Sequence, residues 1–245
     1  MKKGCILLIT VLVSAALLAG QPLGAREVME GAVMVDNVKV YIDPAKFDST
    51  RYMSGPPVGI EEQEDMKAVE RWQELRSKEM ADRSLADSQQ TVFLFAEVVG
   101  EKFTEKNFPI AKKFFYSVYK TESNLNKQGK DRWERMRPPG KNSGLKPVGK
   151  FENLGSYPSG HAAFAWLTGI VLADMLPEMR QAIMTRAREI GLNRVIGGVH
   201  YPSDIEAGRL LAVACAVEIR DNRAFLADFE EARQEVRKGL GLPLN

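Results

Sequence analysis

From Glu61 onward, apolar residues return every three or four positions, the period of a helix with one buried face. Glu61 to Leu85 sets Met66, Val69, Trp72, Leu75 and Met80 among charges, and Ser88 to Lys102 carries a broader stripe with Val92, Phe93, Phe95, Ala96 and Val99. Phe108 to Leu125 follows, with Pro109 tolerated in its first turn. Pro138-Pro139-Gly140 breaks the pattern, and residues 139–155, rich in Gly, Lys, Pro and Asn, read as a loop. Helical spacing resumes over Ser159 to Leu176, Pro177 to Leu192, Ser203 to Arg220 and Asn222 to Gly239. Residues 31–60 read as extended or irregular, punctuated by Asp43-Pro44 and Gly55-Pro56-Pro57, and no segment of strand period is found. The pattern predicts an all-α, single-domain helical bundle.

The first 25 residues follow a different logic. Lys2 and Lys3 precede an apolar run from Gly4 to Gly20, and small residues end at Leu23-Gly24-Ala25. This reads as a secretory signal cut after Ala25, although Leu23 stands where a small residue is preferred. The chain then divides into a signal (1–25), an irregular segment (26–60) and a helical domain (61–245). Elsewhere, Ala162 to Leu176 and Leu210 to Val217 are too short to span a bilayer, so the mature form is expected to need no membrane. Loss of Lys2 and Lys3 takes the formal charge from +2 to 0, with 32 bases and 32 acids remaining. No global field for nucleic acid then exists, and any attraction for anions must be local. Cys5 lies in the signal and Cys215 in an apolar run, which rules out an intrachain disulfide and a C-x-x-C zinc site.

Two histidines make their surroundings informative. His161 closes Tyr157-Pro158-Ser159-Gly160-His161 where a helix should start. Ser159 suits the N-cap, and first-turn amides, including that of Gly160, can cradle an anion. His200 lies in Arg194-Val195-Ile196-Gly197-Gly198-Val199-His200-Tyr201-Pro202-Ser203-Asp204, within hydrogen-bonding reach of Asp204. That bond would fix its tautomer and turn the other nitrogen outward. Lys130 and Arg137, seven apart, would share one face of a helix, with Arg132 and Arg135 as solvated neighbours. Each segment alone has a bland explanation: a helix cap, a structural hydrogen bond, a solvated basic face. Together they offer two histidines, one orienting carboxylate, three cations and a helix N-terminus, with no cluster of metal-ligand spacing. That combination points to phosphate held without a metal or other cofactor.

These segments resemble the PAP2-type phosphatase superfamily, whose signature reads K-x6-RP, PSGH and SR-x5-H-x3-D. Here they stand as Lys130 to Pro138, Pro158 to His161 and Arg194 to Asp204, with every spacing kept. The resemblance is greatest to bacterial class A non-specific acid phosphatases and runs from about Val40 to Arg220. One departure is Asn193, where the signature has Ser; tuning rather than loss is expected. The resemblance implies a helical bundle of the PAP2/vanadium-haloperoxidase type, exported to the periplasm or secreted. It implies metal-independent hydrolysis of phosphate monoesters, with broad specificity, through a phosphohistidine. His200 would be the nucleophile, oriented by Asp204, and a protonated His161 the general acid. Lys130, Arg137, Ser159, Gly160 and Arg194 would hold the phosphoryl oxygens. The expected partners are small phosphate esters, with self-association common in the family. Three other readings share parts of this pattern: a vanadate-dependent haloperoxidase, a membrane lipid phosphatase lacking its spans, and an inactive phosphate binder.

Overall fold

The computed structural model describes residues 31–153 and 155–244. The expected signal, 1–25, lies outside them. Among the described residues the protein is helical apart from one short hairpin, β1 (Val33–Val35) and β2 (Val38–Val40), paired antiparallel with Val33 opposite Val40. The helices are α1 (Ile60–Leu75), α2 (Lys78–Ala86), α3 (Ala96–Val99), α4 (Pro109–Trp133), α5 (Pro138–Lys141), α6 (Gly160–Met175), α7 (Arg180–Ile196), α8 (Pro202–Ile219) and α9 (Arg223–Gly239).

The core forms around α6. This helix carries no charge until Asp174 and is buried on nearly every side, from Ala162 to Met175. A helix apolar all round must sit inside, and α4, α7 and α8 pack against it. In contrast, α4 buries one stripe, Ala111, Phe114, Phe115, Val118, Leu125 and Gly129, at helical spacing. Phe225, Ala232 and Val236 give α9 a narrower buried face against α4.

Several boundaries differ from the sequence pattern, each for a local reason. The expected helix from Glu61 to Leu85 breaks at Arg76, whose backbone is extended, and restarts where Ser77 accepts a hydrogen bond from the Met80 amide. The expected helix from Ser88 to Lys102 is reduced to a 3₁₀ turn, Val92–Phe95, and the single turn α3, ended by Gly100 at φ 127°. Helix α4 continues to Trp133 rather than Leu125 and stops because Glu134 takes a left-handed conformation, φ 42°. Lys130 and Arg137 therefore do not share a helix face: one lies on α4, the other immediately precedes α5. Helix α7 extends to Ile196, placing Arg194 in its last turn.

The segment expected to be irregular holds the hairpin. Asp36 and Asn37, at φ 47° and 62°, make the two-residue turn whose twist suits paired strands. Beyond it, Tyr41 and Ile42 enter the same core as α4 and α9. Tyr41 donates its amide to Thr121 Oγ1 at 2.9 Å and its hydroxyl to Asp228 at 2.8 Å, while Asn222, the N-cap of α9, donates to the Tyr41 carbonyl at 2.9 Å. Lys39 adds an ion pair to Asp228 at 2.7 Å.

Candidate active site

Five of the eight candidate residues, Lys130, Arg137, Gly160, His161 and His200, line one cavity of about 150 Å³. Larger clefts, such as one of about 470 Å³ beside Phe47 and Arg132, have no histidine in their walls. Ends of four elements converge here: the last turns of α4 and α7 and the first turns of α6 and α8. Their closeness depends on Gly208 of α8. A Cβ there would lie 2.5 Å from the Ser159 carbonyl oxygen and 3.0 Å from the Ala163 nitrogen. Across this contact Ser159 donates its amide to the Asp204 carbonyl at 3.0 Å, locking the start of α6 to α8. In an ordinary helix Gly→Ala gains about 1 kcal/mol. Here Gly208→Ala should instead cost about 1–3 kcal/mol, because backbone atoms must move apart. A thermal scan checks the sign, and a raised Tm would show that the contact relaxes freely.

The tautomer of His200 follows from its neighbours. Arg137 Nη1 lies 2.9 Å from His200 Nε2 and can only donate, so Nε2 carries the lone pair. Nδ1 then bears the proton and donates to Asp204 Oδ2 at 3.1 Å. The backbone reversal before it uses Gly198 at φ 73°. Asp204 is fully buried and accepts also from Ser156 Oγ at 2.6 Å, the Tyr201 amide at 2.9 Å and Arg135 Nη1 at 2.7 Å. Burial pushes its carboxyl up, while Arg135, Ser156 and Tyr201 pull it back. Burial, followed by Arg137, Lys130 and Arg194, holds His200 well below the ordinary imidazole value, which favours its neutral form.

His161 is built differently. Its Nε2 lies 2.9 Å from the Ser88 carbonyl, which can only accept, so Nε2 carries the proton and Nδ1 is left for exchange. The failure of 88–91 to become helical supplies that carbonyl. Burial and then Arg194 lower the His161 pKa to about 3. Without a phosphate to offset these cations, the shift favours the neutral imidazole, so the expected proton on His161 depends on what fills the cavity. The same crowding lowers Lys130 to about 8 and Arg194 to about 10, burial leading and Arg137 next in both.

Ser159, Arg194 and Asp204 stand behind the wall. Ser159 is buried, and its hydroxyl caps α6 by accepting from the Ala162 amide at 3.4 Å. Asp204 braces His200 from below. Arg194 is buried close enough to shift both histidines. Asn193, the departure from the signature, donates to Asp87 at 2.6 Å. Arg186 binds the same carboxylate, whose charge favours protonated Arg194. Asn193 thus bears on the cavity through Asp87.

Arg135 overturns its expected role as a solvated group. It is buried, stacks over the Tyr201 ring at 4.0 Å, and bridges Asp204 to Asp65 of α1, with Nη2 2.8 Å from Asp65. Arg132 does remain exposed. Sequence reasoning also missed Ser156 and the other wall of the cavity: Gln90, Tyr119, Glu122, Ser123 and Asn126. For Glu122 a signal existed, a carboxylate on the apolar stripe of α4. Among the described residues no group of three His, Cys, Asp or Glu side chains could hold a metal ion, and no helix is long and apolar enough to cross a membrane.

This geometry coincides with a family match. A family model described as PAP2 superfamily matches residues 114–224, the stretch holding Lys130 through Asp204. A non-specific acid phosphatase of Providencia stuartii is 30% identical over 183 residues, 71% of this chain and 74% of the relative. The chain belongs to the PAP2 superfamily. A non-specific acid phosphatase of Salmonella typhi is 30% identical over 207 residues, covering 79% of this chain and 75% of that one. Among solved structures, a transmembrane PAP2 type phosphatidylglycerolphosphate phosphatase from Bacillus subtilis is similar with a TM-score of 0.48 and 19% identity, over 66% of this chain and 86% of that one. All eight candidate residues occupy the three PAP2 signature segments quoted above.

Proposed function

We propose that this PAP2 chain is a metal-independent acid phosphatase, hydrolysing phosphate monoesters of broad range through a phosphohistidine on His200. Its acid phosphatase relatives and family membership support the phosphatase activity. The observation that carries the finer reading is the unlike wiring of the two histidines that line the cavity: His200 is tied through Nδ1 to Asp204 and keeps its lone pair on Nε2, beside Arg137, while His161 is tied through Nε2 to a carbonyl and keeps its lone pair on Nδ1.

In the first step the Nε2 lone pair attacks phosphorus, the ester P–O bond breaks, and the departing oxygen takes a proton from His161 Nδ1. Asp204 accepts the Nδ1–H of the positively charged His200 that results. Lys130, Arg137, Arg194 and the first turn of α6 offset charge on the phosphoryl oxygens. In the second step water attacks phosphorus, gives its proton to His161 Nδ1, and the P–N bond breaks with its electrons returning to Nε2.

The low His161 pKa makes the source of that proton specific. A phosphate ester loses its second proton near a pKa of about 6. The monoanion brings a proton into the cavity, where the phosphoryl charge offsets the three cations and lets Nδ1 accept it. Acidic activity then follows from the protonation of the substrate rather than of the free enzyme. The reading of residues 1–25 as an export signal accompanies this proposal.

Phosphate release from p-nitrophenyl phosphate tests it. Activity should survive EDTA and be blocked by vanadate, which adopts the five-coordinate geometry of phosphoryl transfer. Loss with EDTA and recovery with a divalent metal would overturn the metal-free mechanism.

A further inference from the structure

Tyr119, Glu122, Ser123, Asn126 and Lys130 recur at helical spacing along α4, and all five line the cavity. Lys130 marks the catalytic end. Tyr119 and Ser123 are partly exposed, with the Tyr119 hydroxyl 3.3 Å from Gln90 Oε1. Glu122 and Asn126 are buried between these ends. A substrate whose phosphoryl group lies at Lys130 must lead its alcohol portion out along this stripe.

Glu122 is the anomaly on it. The side chain is 0% exposed, and neither carboxyl oxygen has a hydrogen-bond partner among the described residues. It occupies a phase of α4 otherwise given to Phe115, Val118 and Leu125, where an apolar side chain would pack at no electrostatic cost. A buried polar group with no partner in the fold requires another explanation, and the cavity it borders provides one. We propose that Glu122 selects the leaving group by hydrogen bonding a hydroxyl of the alcohol portion, making esters of small polyols the preferred substrates. This rests on the phosphatase reading.

Two further properties fit. Burial pushes the Glu122 carboxyl well above the ordinary carboxylate range. In acid it is therefore neutral, with one O–H to donate and one oxygen to accept, the complement of a hydroxyl. A neutral acid also avoids repelling the phosphoryl dianion, which an ionised one so near would do. The cavity, about 150 Å³, suits a phosphoryl group with a few carbons attached.

The test compares glycerol 2-phosphate with isopropyl phosphate, which has the same branching and no hydroxyl. The wild-type protein should favour the glycerol ester at least tenfold in kcat/KM. Glu122→Leu should erase that preference by lowering glycerol ester turnover, leave isopropyl phosphate within about twofold, and raise Tm by removing an unpartnered buried carboxyl. Glu122→Gln, still donor and acceptor, should retain most of the preference. Equal turnover of both esters by the wild type overturns the proposal without any variant. So does a Glu122→Leu protein that keeps the preference, or one that loses both substrates alike with a fall in Tm, which marks a structural role. Should Leu prevent folding, Glu122→Met takes its place. Release of phosphate from neither ester by the wild type would instead refute the phosphatase reading.

Discussion

His200→Ala should abolish turnover of every phosphate ester, by at least about 10⁴-fold, and leave no trapped phosphoenzyme. The size follows from its position. It is the imidazole that carries its lone pair on Nε2, beside Arg137, while Nδ1 is engaged at Asp204. His161→Ala should behave otherwise. Loss of a general acid costs about 10²–10⁴-fold when the leaving alcohol needs its proton. p-Nitrophenolate departs with little help, so its release should be far less affected. With that substrate the His161→Ala phosphoenzyme should accumulate, because the second step still lacks its base. Rapid-quench trapping with a labelled ester measures both variants. A phosphohistidine formed by His200→Ala and absent from His161→Ala would reverse the assignment.

Arg135→Leu should damage stability and activity together. The guanidinium lies between two buried carboxylates, Asp65 and Asp204, and removing it leaves both without their cation. Breaking a buried pair from one side costs about 3–5 kcal/mol. In a chain of this size that lowers Tm by roughly 6–20 °C. A second effect separates the site from the fold. Arg135 pulls the Asp204 pKa down against burial. Without it the carboxyl takes a proton at higher pH and no longer accepts from His200. The acid limb of kcat should therefore move to higher pH in whatever fraction remains folded. A pH profile at a temperature well below the new Tm reads this directly, and an unshifted limb would confine Arg135 to a structural part.

That Lys130, Gly160, His161 and His200 meet at one cavity is legible in the sequence because they lie in short segments. Gly160 and His161 need only a helix start, and His200 and Asp204 are four residues apart on a local turn. Lys130 and Arg137 meet at the cavity without sharing a helix face: α4 ends between them, at Glu134, and the turn brings Arg137 back. The same turn buries Arg135, and nothing in Lys130 to Arg137 distinguishes this arginine from Arg132. Its burial is decided by Asp65, seventy positions away. Glu122 was missed because the α4 pattern was cut short at Leu125, which hid how it shares a wall with Lys130. The hairpin had a visible cue, Val-x-Val on both sides of Asp36-Asn37, but three-residue strands fall below the length at which alternation stands out.

The strap that follows the hairpin has a consequence for the order in which the molecule can be completed. Tyr41 meets Asp228 across 187 positions and Lys39 meets it across 189, while the Tyr41 carbonyl is held by Asn222. During synthesis these first described residues emerge with none of those partners yet made. Helix α4 can meet Tyr41 earlier, through Thr121, but the bonds to Asp228 and Asn222 must wait until α9 has followed. Closing so long a loop early is entropically unfavourable, and contacts of this separation slow folding. In a nascent chain of this protein the contacts of Lys39 and Tyr41 with α9 therefore stay open until that helix has been made. Truncation within α9 should return that end to the unfinished state, however intact the cavity residues remain.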